Sequence, residues 1–383
     1  MRRFRRRLGD ELPTACGDPR SNACCRRSEV AIKHDTQAFE ELVESRRREL
    51  QVHCYRMLGS FHDAEDAVQE TLLRAWRGLE AFEGRASMRQ WLYRIATNAC
   101  LNAIAARKGA GRVLPDTERP PTDQMPDREP ASDVAWLEPY PDAALEGLED
   151  DAPGPDARYQ LSEAVNLAFI AAIQHLPPKQ RAVLLLRDVL GWSAAETARL
   201  VESSIAGVNS ALQRARATLE RRVSSGPAPR PRRTTERQRE LLAHYVHAWE
   251  SSDVDRFAAL LREDASFRMP PWPQWYRGRD AIRSFFAWTT RLGGHAPFRL
   301  LPTRANGEPA FAFYGRWQGP EWRFHSIQLV TLQDEMIAGL TSFVMPELAP
   351  VFGLPGVLPE ASNPSDGGRP NGRAEKESTS DDR

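Results

Sequence analysis

Three things are scarce in this sequence: net charge, paired cysteines and uninterrupted apolar runs. Lys and Arg together number 52 and so do Asp and Glu, which excludes a uniformly basic nucleic-acid coat and leaves only local patches. The five cysteines include no C-x-x-C pair, arguing against a disulfide framework or a zinc site and fitting a reducing cytoplasm. No stretch of about 18 apolar residues occurs, so no membrane span is expected. The basic start, Met1-Arg2-Arg3-Phe4-Arg5-Arg6-Arg7, leads into no apolar segment and does not read as a secretory signal.

What is present is length and contrast. At roughly 150 residues per domain, 383 residues predict two or three domains. The zero charge is a sum of opposite blocks. Residues 1–33 are net +5 and read, to about residue 35, either as a disordered basic arm or as the product of a start codon set too early. Residues 85–115 hold six basic side chains and no acidic one, whereas residues 116–157 carry thirteen acidic residues, two arginines and eight prolines. Such a composition cannot bury enough apolar surface to fold alone, so residues 113–157 read as a linker, with Trp136-Leu137-Glu138-Pro139-Tyr140 as a candidate docking segment inside it. A Ser/Pro-rich linker spans residues 224–235, and beyond it lie six of the ten tryptophans and ten of the fifteen phenylalanines. That aromatic density marks a different kind of core over residues 236–352. The remainder, 353–383, is Pro/Gly/Ser-rich, charged and expected to be disordered.

Residues 36–112 are helical in pattern. Asp63 can cap a helix with Ala64, Ala67, Val68, Thr71, Leu72, Ala75 and Trp76 on one face. A second helix, from about Ser87 to Ala106, carries Met88, Trp91, Leu92, Ile95, Ala96 and Ala99 on one stripe and Arg89, Tyr93, Arg94, Thr97, Asn98 and Asn102 on the other. Cations that neutralise phosphate, a ring that stacks on bases and amides that read base edges are the chemistry of single-strand binding. The same pattern also describes a plain solvated face.

His62-Asp63-Ala64-Glu65-Asp66-Ala67-Val68-Gln69-Glu70-Thr71 with Arg74-Ala75-Trp76 resembles region 2.2 of the sigma-70 family, in its extracytoplasmic-function group. Phe82-Glu83-Gly84-Arg85 and Trp91-Leu92-Tyr93-Arg94-Ile95-Ala96-Thr97-Asn98 are similar to regions 2.3 and 2.4. The resemblance implies that Asp63, Asp66, Gln69 and Glu70 face the β′ clamp helices of core RNA polymerase. It also implies that Phe82, Gly84, Arg85, Ser87, Trp91, Arg94 and Asn98 open the −10 element and trap a flipped base, although Trp91 equally suits a core position.

In residues 158–223, an amphipathic helix through Leu161, Val165, Phe169 and Ile173 stops at Pro177-Pro178, and Lys179 to Leu190 forms the next helix. A capping box at Ser193-Ala194-Ala195-Glu196 then opens a short helix, and a long one runs from Ile205 to about Arg222. Short helix, turn and long basic helix make a helix-turn-helix. Leu176-Pro177-Pro178-Lys179-Gln180-Arg181 and Val208-Asn209-Ser210-Ala211-Leu212-Gln213-Arg214-Ala215-Arg216 resemble sigma region 4, the module that reads the −35 element and meets the β flap. By resemblance Asn209, Ser210, Gln213, Arg214 and Arg216 contact DNA. Many members of the family carry arginine where Asn209 and Ala211 stand, which implies fewer phosphate contacts here.

The last domain reads as three helices (Arg237–Glu250, a short one capped by Asp253 and containing Phe257, Leu260 and Leu261, and Ala281–Thr289) followed by strands over Pro297–Pro302, Ala310–Trp317, Trp322–Leu332 and Met336–Phe343. Ala248-Trp249, Asp264-Ala265, Trp275-Tyr276-Arg277-Gly278-Arg279-Asp280-Ala281-Ile282 and Asn306-Gly307 are similar to the SnoaL-like polyketide cyclase and ketosteroid isomerase superfamily. That implies an α+β cone with an interior for a small apolar ligand, lined by Trp249, Trp272, Trp275 and Trp288. Asp253, Asp264, His295 and His325 are the available acids and bases, but no pair has a spacing that compels catalysis, and Asp253 is better explained as a cap.

The expected fold is therefore multidomain: two all-α sigma domains, a region 2 bundle and a region 4 helix-turn-helix, plus a C-terminal α+β SnoaL-like cone. The expected function is that of a cytoplasmic alternative sigma factor, with core RNA polymerase and promoter DNA as partners, no metal or cofactor, no catalysis and a modulatory cone. The alternatives are a bifunctional protein whose cone is an isomerase- or cyclase-type enzyme, and a repressor acting through the helix-turn-helix alone.

Overall fold

The computed structural model describes residues 36–82, 84, 87–107, 111–126, 130–131, 133–145, 165–223, 234–292, 298–316 and 319–359. Three helices form the first bundle: α1 (Thr36–Leu58), α2 (Phe61–Gly78) and α3 (Met88–Ala106). Ser60, not Asp63, caps α2: its hydroxyl accepts from Asp63 N at 3.0 Å, so Asp63 stands at the third helical position. Between α1 and α2 the chain turns at Gly59 (φ +70°), where a Cβ would come within 2.6 Å of Leu137. A glycine there both ends α1 and admits the linker.

The second helical unit comprises α4 (Leu167–Gln174), α5 (Pro178–Leu184, continued by a wider turn to Val189), α6 (Ala194–Leu200) and α7 (Ile205–Val223). The capping box expected at Ser193 and Glu196 is formed, with both reciprocal bonds present.

The cone contains α8 (Glu236–Ser251), α9 (Val254–Ala259) and α10 (Arg279–Leu292) against a six-stranded sheet in the order β2-β1-β6-β5-β4-β3. Its strands are β1 (Leu261–Arg268), β2 (Trp275–Arg277), β3 (Arg299–Ala305), β4 (Glu308–Gly315), β5 (Arg323–Gln333) and β6 (Met336–Phe343). The sequence reading missed β1 and β2 and placed Leu261 on a helix. In the structure α9 stops at Ala259, and β1 pairs parallel with β6 while every other strand pair is antiparallel, so the sheet is mixed. Leu261, Ala265 and Phe267 point inward between charged neighbours, and the Arg-Glu-Asp run between them hides the alternation.

Two cores follow from this sheet. One face holds the cone's own interior, where Phe311, Phe313, Val330 and Leu340 meet Tyr245, Trp249, Phe257 and Phe286. The opposite face, through Ala310, Ala312, Tyr314, Ile327, Leu329 and Phe343, belongs to a cluster continuous with both helical units. A sheet covered on both sides explains why Ala310 to Gly315 is buried at every residue instead of alternating. Residues expected to be tether and tail supply part of the cover. Trp136, Leu137 and Tyr140 are buried in the shared cluster, Tyr314 Oη donates to Pro355 O at 2.9 Å, and Leu358 N donates to Trp322 O at 2.9 Å. The docking segment is thus seated, and residues 353–359 pack instead of forming a disordered tail.

Candidate nucleic-acid interface

On α2 the outward face is not quite the one the motif suggests. Asp66 and Gln69 are exposed, and Glu70 is paired with Arg74 at 2.6 Å. Asp63 faces the other way, bound by Arg107 and, at 2.8 Å, by Arg112, so it ties α2 to the chain leaving α3 instead of facing a partner. Leu73 and Trp76, 52% and 48% exposed, share the face of Gln69 by helical spacing. Trp76 was expected on the apolar stripe and Leu73 was not singled out. Two large exposed apolar side chains on one polar face are the signal a per-residue exposure shows and a helical pattern does not.

The loop before α3 is held by packing. Phe82 is 6% exposed with its ring 5.0 Å from that of Trp91, so it anchors the loop from inside and cannot reach DNA as placed. Gly84 adopts φ +67° with open space where a Cβ would stand, and Ser87 caps α3 by accepting from Gln90 N. Arg85 lies outside the described residues. Tyr93 and Thr97, expected on the outer face of α3, are buried. The Tyr93 ring lies 5.0 Å from His53, 5.4 Å from Trp192 and under the Arg89 guanidinium at 5.1 Å. His53 Nε2 lies 3.0 Å from Thr97 Oγ1, and burial, with Arg56 and Arg89 nearby, lowers the His53 pKa to about 3, so the ring is neutral.

Trp192 belongs to the second helical unit, and so do two further contacts on the same face of α3. Arg94 donates to Glu202 at 2.9 Å, and Gln90 donates to Glu196 at 2.8 Å. The side chains selected for −10 DNA are therefore divided: Arg94 is engaged by a carboxylate, Asn98 is half-buried, and Trp91 packs on Phe82. Behind this face Arg181, almost wholly buried, donates to Met57 O and to Gln174 Oε1 and O, while Gln174 Nε2 donates to Arg56 O at 3.3 Å. Two C-terminal carbonyls of α1 are thus capped by the other domain. Burial lowers both Arg56 and Arg181 to about 10.

On α7, Asn209, Ser210, Gln213 and Arg214 are exposed side by side, as the helix-turn-helix reading requires. Arg216, also exposed, is held by Asp188 at 2.6 Å. Ile205, 51% exposed at the start of this helix, was not anticipated.

The cone meets both helical units at one hairpin tip. Asn306, at φ +55° between β3 and β4, is completely buried. Its amide donates to Tyr55 Oη at 2.8 Å and to Val165 O at 2.6 Å, and its Oδ1 accepts from Tyr140 N at 2.9 Å. Asp142 accepts from Gly307 N at 2.8 Å and pairs with Arg304 at 3.1 Å. Glu308, its carboxyl pKa raised by burial, accepts from Thr331 Oγ1 and Asn166 Nδ2.

The four tryptophans expected to line a ligand pocket do not converge. Trp249 packs edge-on against Phe286 and Phe313, and Trp288 lies 5.8 Å from Phe285, so both belong to the cone's aromatic core. Trp275 instead donates to Arg119 O of the linker, and Trp272 is half-buried in the β1–β2 connection. Asp253 caps α9, Asp264 is exposed and paired with Arg262, and His325 is half-buried with its pKa lowered to about 4 by desolvation. His295 lies outside the described residues.

Comparison with known proteins places these units. The Sigma-70 region 2 model matches residues 42–109, the Sigma-70 region 4 model residues 166–219, and the SnoaL-like domain model residues 242–340. The chain is 42% identical over 321 residues to the ECF RNA polymerase sigma factor SigG of Mycobacterium tuberculosis, covering 84% of this chain and 85% of that one. The chain belongs to the ECF RNA polymerase sigma factors. It is an alternative sigma factor that serves transcription initiation, and its family implies binding to core RNA polymerase and promoter DNA. ECF sigma factor SigW of Bacillus subtilis is 28% identical over 192 residues, 50% of this chain and 91% of that one. Among solved structures, the ECF sigma factor SigJ of Mycobacterium tuberculosis shares the fold, with a TM-score of 0.52 at 22% identity over 82% of this chain and 98% of that one.

Proposed function

We propose that this sigma factor works from a closed form in which region 4 covers the −10-reading face of region 2 and the SnoaL-like cone holds the two regions together. The observation that carries this reading is the placement of Glu196, Glu202 and Trp192 on Gln90, Arg94 and Tyr93. Carboxylates sit where phosphates would be neutralised, and an indole sits on the ring expected to stack on bases. The Asn306 hairpin joins the cone to α1, to the linker and to the segment entering region 4, and so holds both sigma regions in this arrangement. That is how the cone modulates activity.

Release uncovers the −10 face, which then works beside two surfaces already exposed in the closed form. Asp66, Gln69, Glu70, Leu73 and Trp76 on α2 engage the β′ clamp helices, and region 4 engages the β flap. Gly84, Arg85, Ser87, Trp91, Arg94 and Asn98 open and hold the −10 strand. Asn209, Ser210, Gln213 and Arg214 read the −35 groove, with the exposed Ile205 offering apolar contact to a thymine methyl. The protein acts in the cytoplasm, and the cone is regulatory: its two candidate acids are a helix cap and an exposed ion pair, and the half-buried His325 is neutral.

The test is multi-round transcription with core RNA polymerase on a pooled genomic promoter library. It compares the full chain, a chain ending at Ser225 and Asn306→Ala. Transcripts from a shared −35/−10 pair are expected, at a higher rate for both altered chains. Equal rates from all three would overturn the modulatory role.

A further inference from the structure

The recognition helix is poor in available cations. Asn209 and Ala211 carry no charge, Arg216 is drawn to Asp188, and Arg221 folds back to donate to Ala217 O. Among the described side chains of α7 this leaves Arg214 exposed for phosphate. Promoter affinity rests heavily on counterions released by such contacts.

The missing cations are found in the cone. Residues 277–323 hold eight arginines and three acidic residues, a net +5 in a chain whose total is zero. At the end of the β3–β4 hairpin remote from Asn306, the guanidinium of Arg299 lies 4.8 Å from the centre of the Trp322 ring and that of Arg316 lies 4.3 Å from it. Among the described residues neither arginine has a carboxylate within ion-pair distance, whereas their neighbour Arg323 is paired with Glu321. Trp322 itself is buried, and its indole N–H finds no acceptor among the described residues. A guanidinium held over an indole by cation–π attraction keeps N–H groups available for a phosphate, which arginine can grip in two-pronged fashion.

Chain connectivity brings this end of the cone near DNA. Only residues 224–233 separate α7 from the segment that opens the cone. From Val223 to Thr234 the chain reaches at most about 40 Å. With region 4 on its element, the cone is therefore tethered beside the duplex. The hairpin carries Arg299 about 23 Å and Arg316 about 30 Å from the Asn306 tip, clear of the contacts Asn306 makes to the sigma regions.

We propose that Arg299 and Arg316, held on Trp322, bind phosphates of the promoter backbone outside the two recognised elements. The inference rests on the sigma reading, and it gives the cone a second role once region 4 is on DNA.

The experiment measures binding of holoenzyme, core polymerase with the full chain, to a promoter fragment found active in the genomic pool, as a function of salt. Neutralising two phosphate contacts contributes about 1.8 to the slope of log affinity against log salt. The Arg299→Gln/Arg316→Gln chain is expected to lose that amount and to bind weakly but with unchanged −35 and −10 preference. Arg299→Lys/Arg316→Lys is expected to keep most of it, which controls for loss of folding. A glutamine variant that initiates with the wild-type slope overturns the proposal. Equilibrium dialysis of the full chain against radiolabelled inorganic phosphate separates the sources: saturable binding lost in the glutamine variant, with an unchanged DNA slope, means a small phosphate ligand and also overturns it. If wild-type holoenzyme itself binds no promoter in the pool, the sigma reading fails first.

Discussion

The side-chain amide of Asn306 serves three chain segments at once, bonding Tyr55 of region 2, Tyr140 of the linker and the Val165 carbonyl before region 4. Truncating it removes the partner of the buried Tyr140 N–H and Val165 carbonyl, while Tyr55 Oη keeps only its bond to Glu138 O, and the positive φ disfavours a replacement that cannot hydrogen-bond locally. Asn306→Ala is expected to destabilise the chain by about 3 kcal/mol, read from urea denaturation, with the loss falling on the junction instead of the cone interior. Two histidines make a separate prediction. His53 and His325 are held neutral in the fold, at about 3 and about 4, while in the unfolded chain they protonate near the ordinary value of 6.5. Below that value the unfolded state binds more protons, so stability falls as the pH drops from about 6.5 toward 4, with a slope approaching 1.4 kcal/mol per pH unit for each. Thermal melts at pH 7, 6 and 5 should show progressively lower midpoints, and His325→Phe should flatten the trend.

At the scale of elements, α2 offers Leu73 and Trp76 beside Asp66, Gln69 and Glu70. Leu73→Ala/Trp76→Ala is expected to change stability by no more than about 0.5 kcal/mol, because both side chains are exposed, yet to abolish co-elution with core polymerase in gel filtration. On α3, Glu202→Arg places like charge against Arg94. An exposed pair contributes about 1 kcal/mol or less, so a shift of that size toward the open form should tighten binding of a single-stranded −10 oligonucleotide two- to five-fold by fluorescence anisotropy. The elements differ in how much of them the sequence discloses. The capping box at Ser193 and the 3.6-residue spacing of Ala64, Ala67, Val68 and Thr71 are local signals, and the helices they predict are present. Tyr93 and Thr97 look outward on a helical wheel because the surfaces that bury them, α1 and the Trp192 turn, lie about forty and a hundred residues away. Likewise β1 is hidden by the charges of Arg262, Glu263 and Asp264, which are partly or fully exposed at the sheet's margin. The candidate site was legible as a set of positions, but which of them are engaged in the closed form depends on contacts between domains.

For the whole molecule, the shared cluster changes what a domain boundary means. The apolar run from Ala310 to Tyr314 already carried the message that the sheet is covered on both faces, since a one-sided antiparallel sheet alternates. The cover is made by the linker, both helical units and the segment through Leu358. Calorimetry of the full chain should therefore show region 2 and the cone melting in one transition. A chain ending at Ser225 should melt at a lower temperature, because Tyr55 and Tyr140 then lose their cover.

The order of these parts along the chain also sets a clock. Both sigma regions are complete once Val223 has been made, whereas the hairpin bearing Asn306 closes only with Gly315. At roughly 5–20 residues per second the ribosome takes some 5–20 seconds to cover that interval. On the proposed closed form, region 4 lies for those seconds on the −10-reading face of α3 with no Asn306 latch to hold it there, so a cell's response to this factor would depend on its rate of synthesis as well as on its accumulated amount.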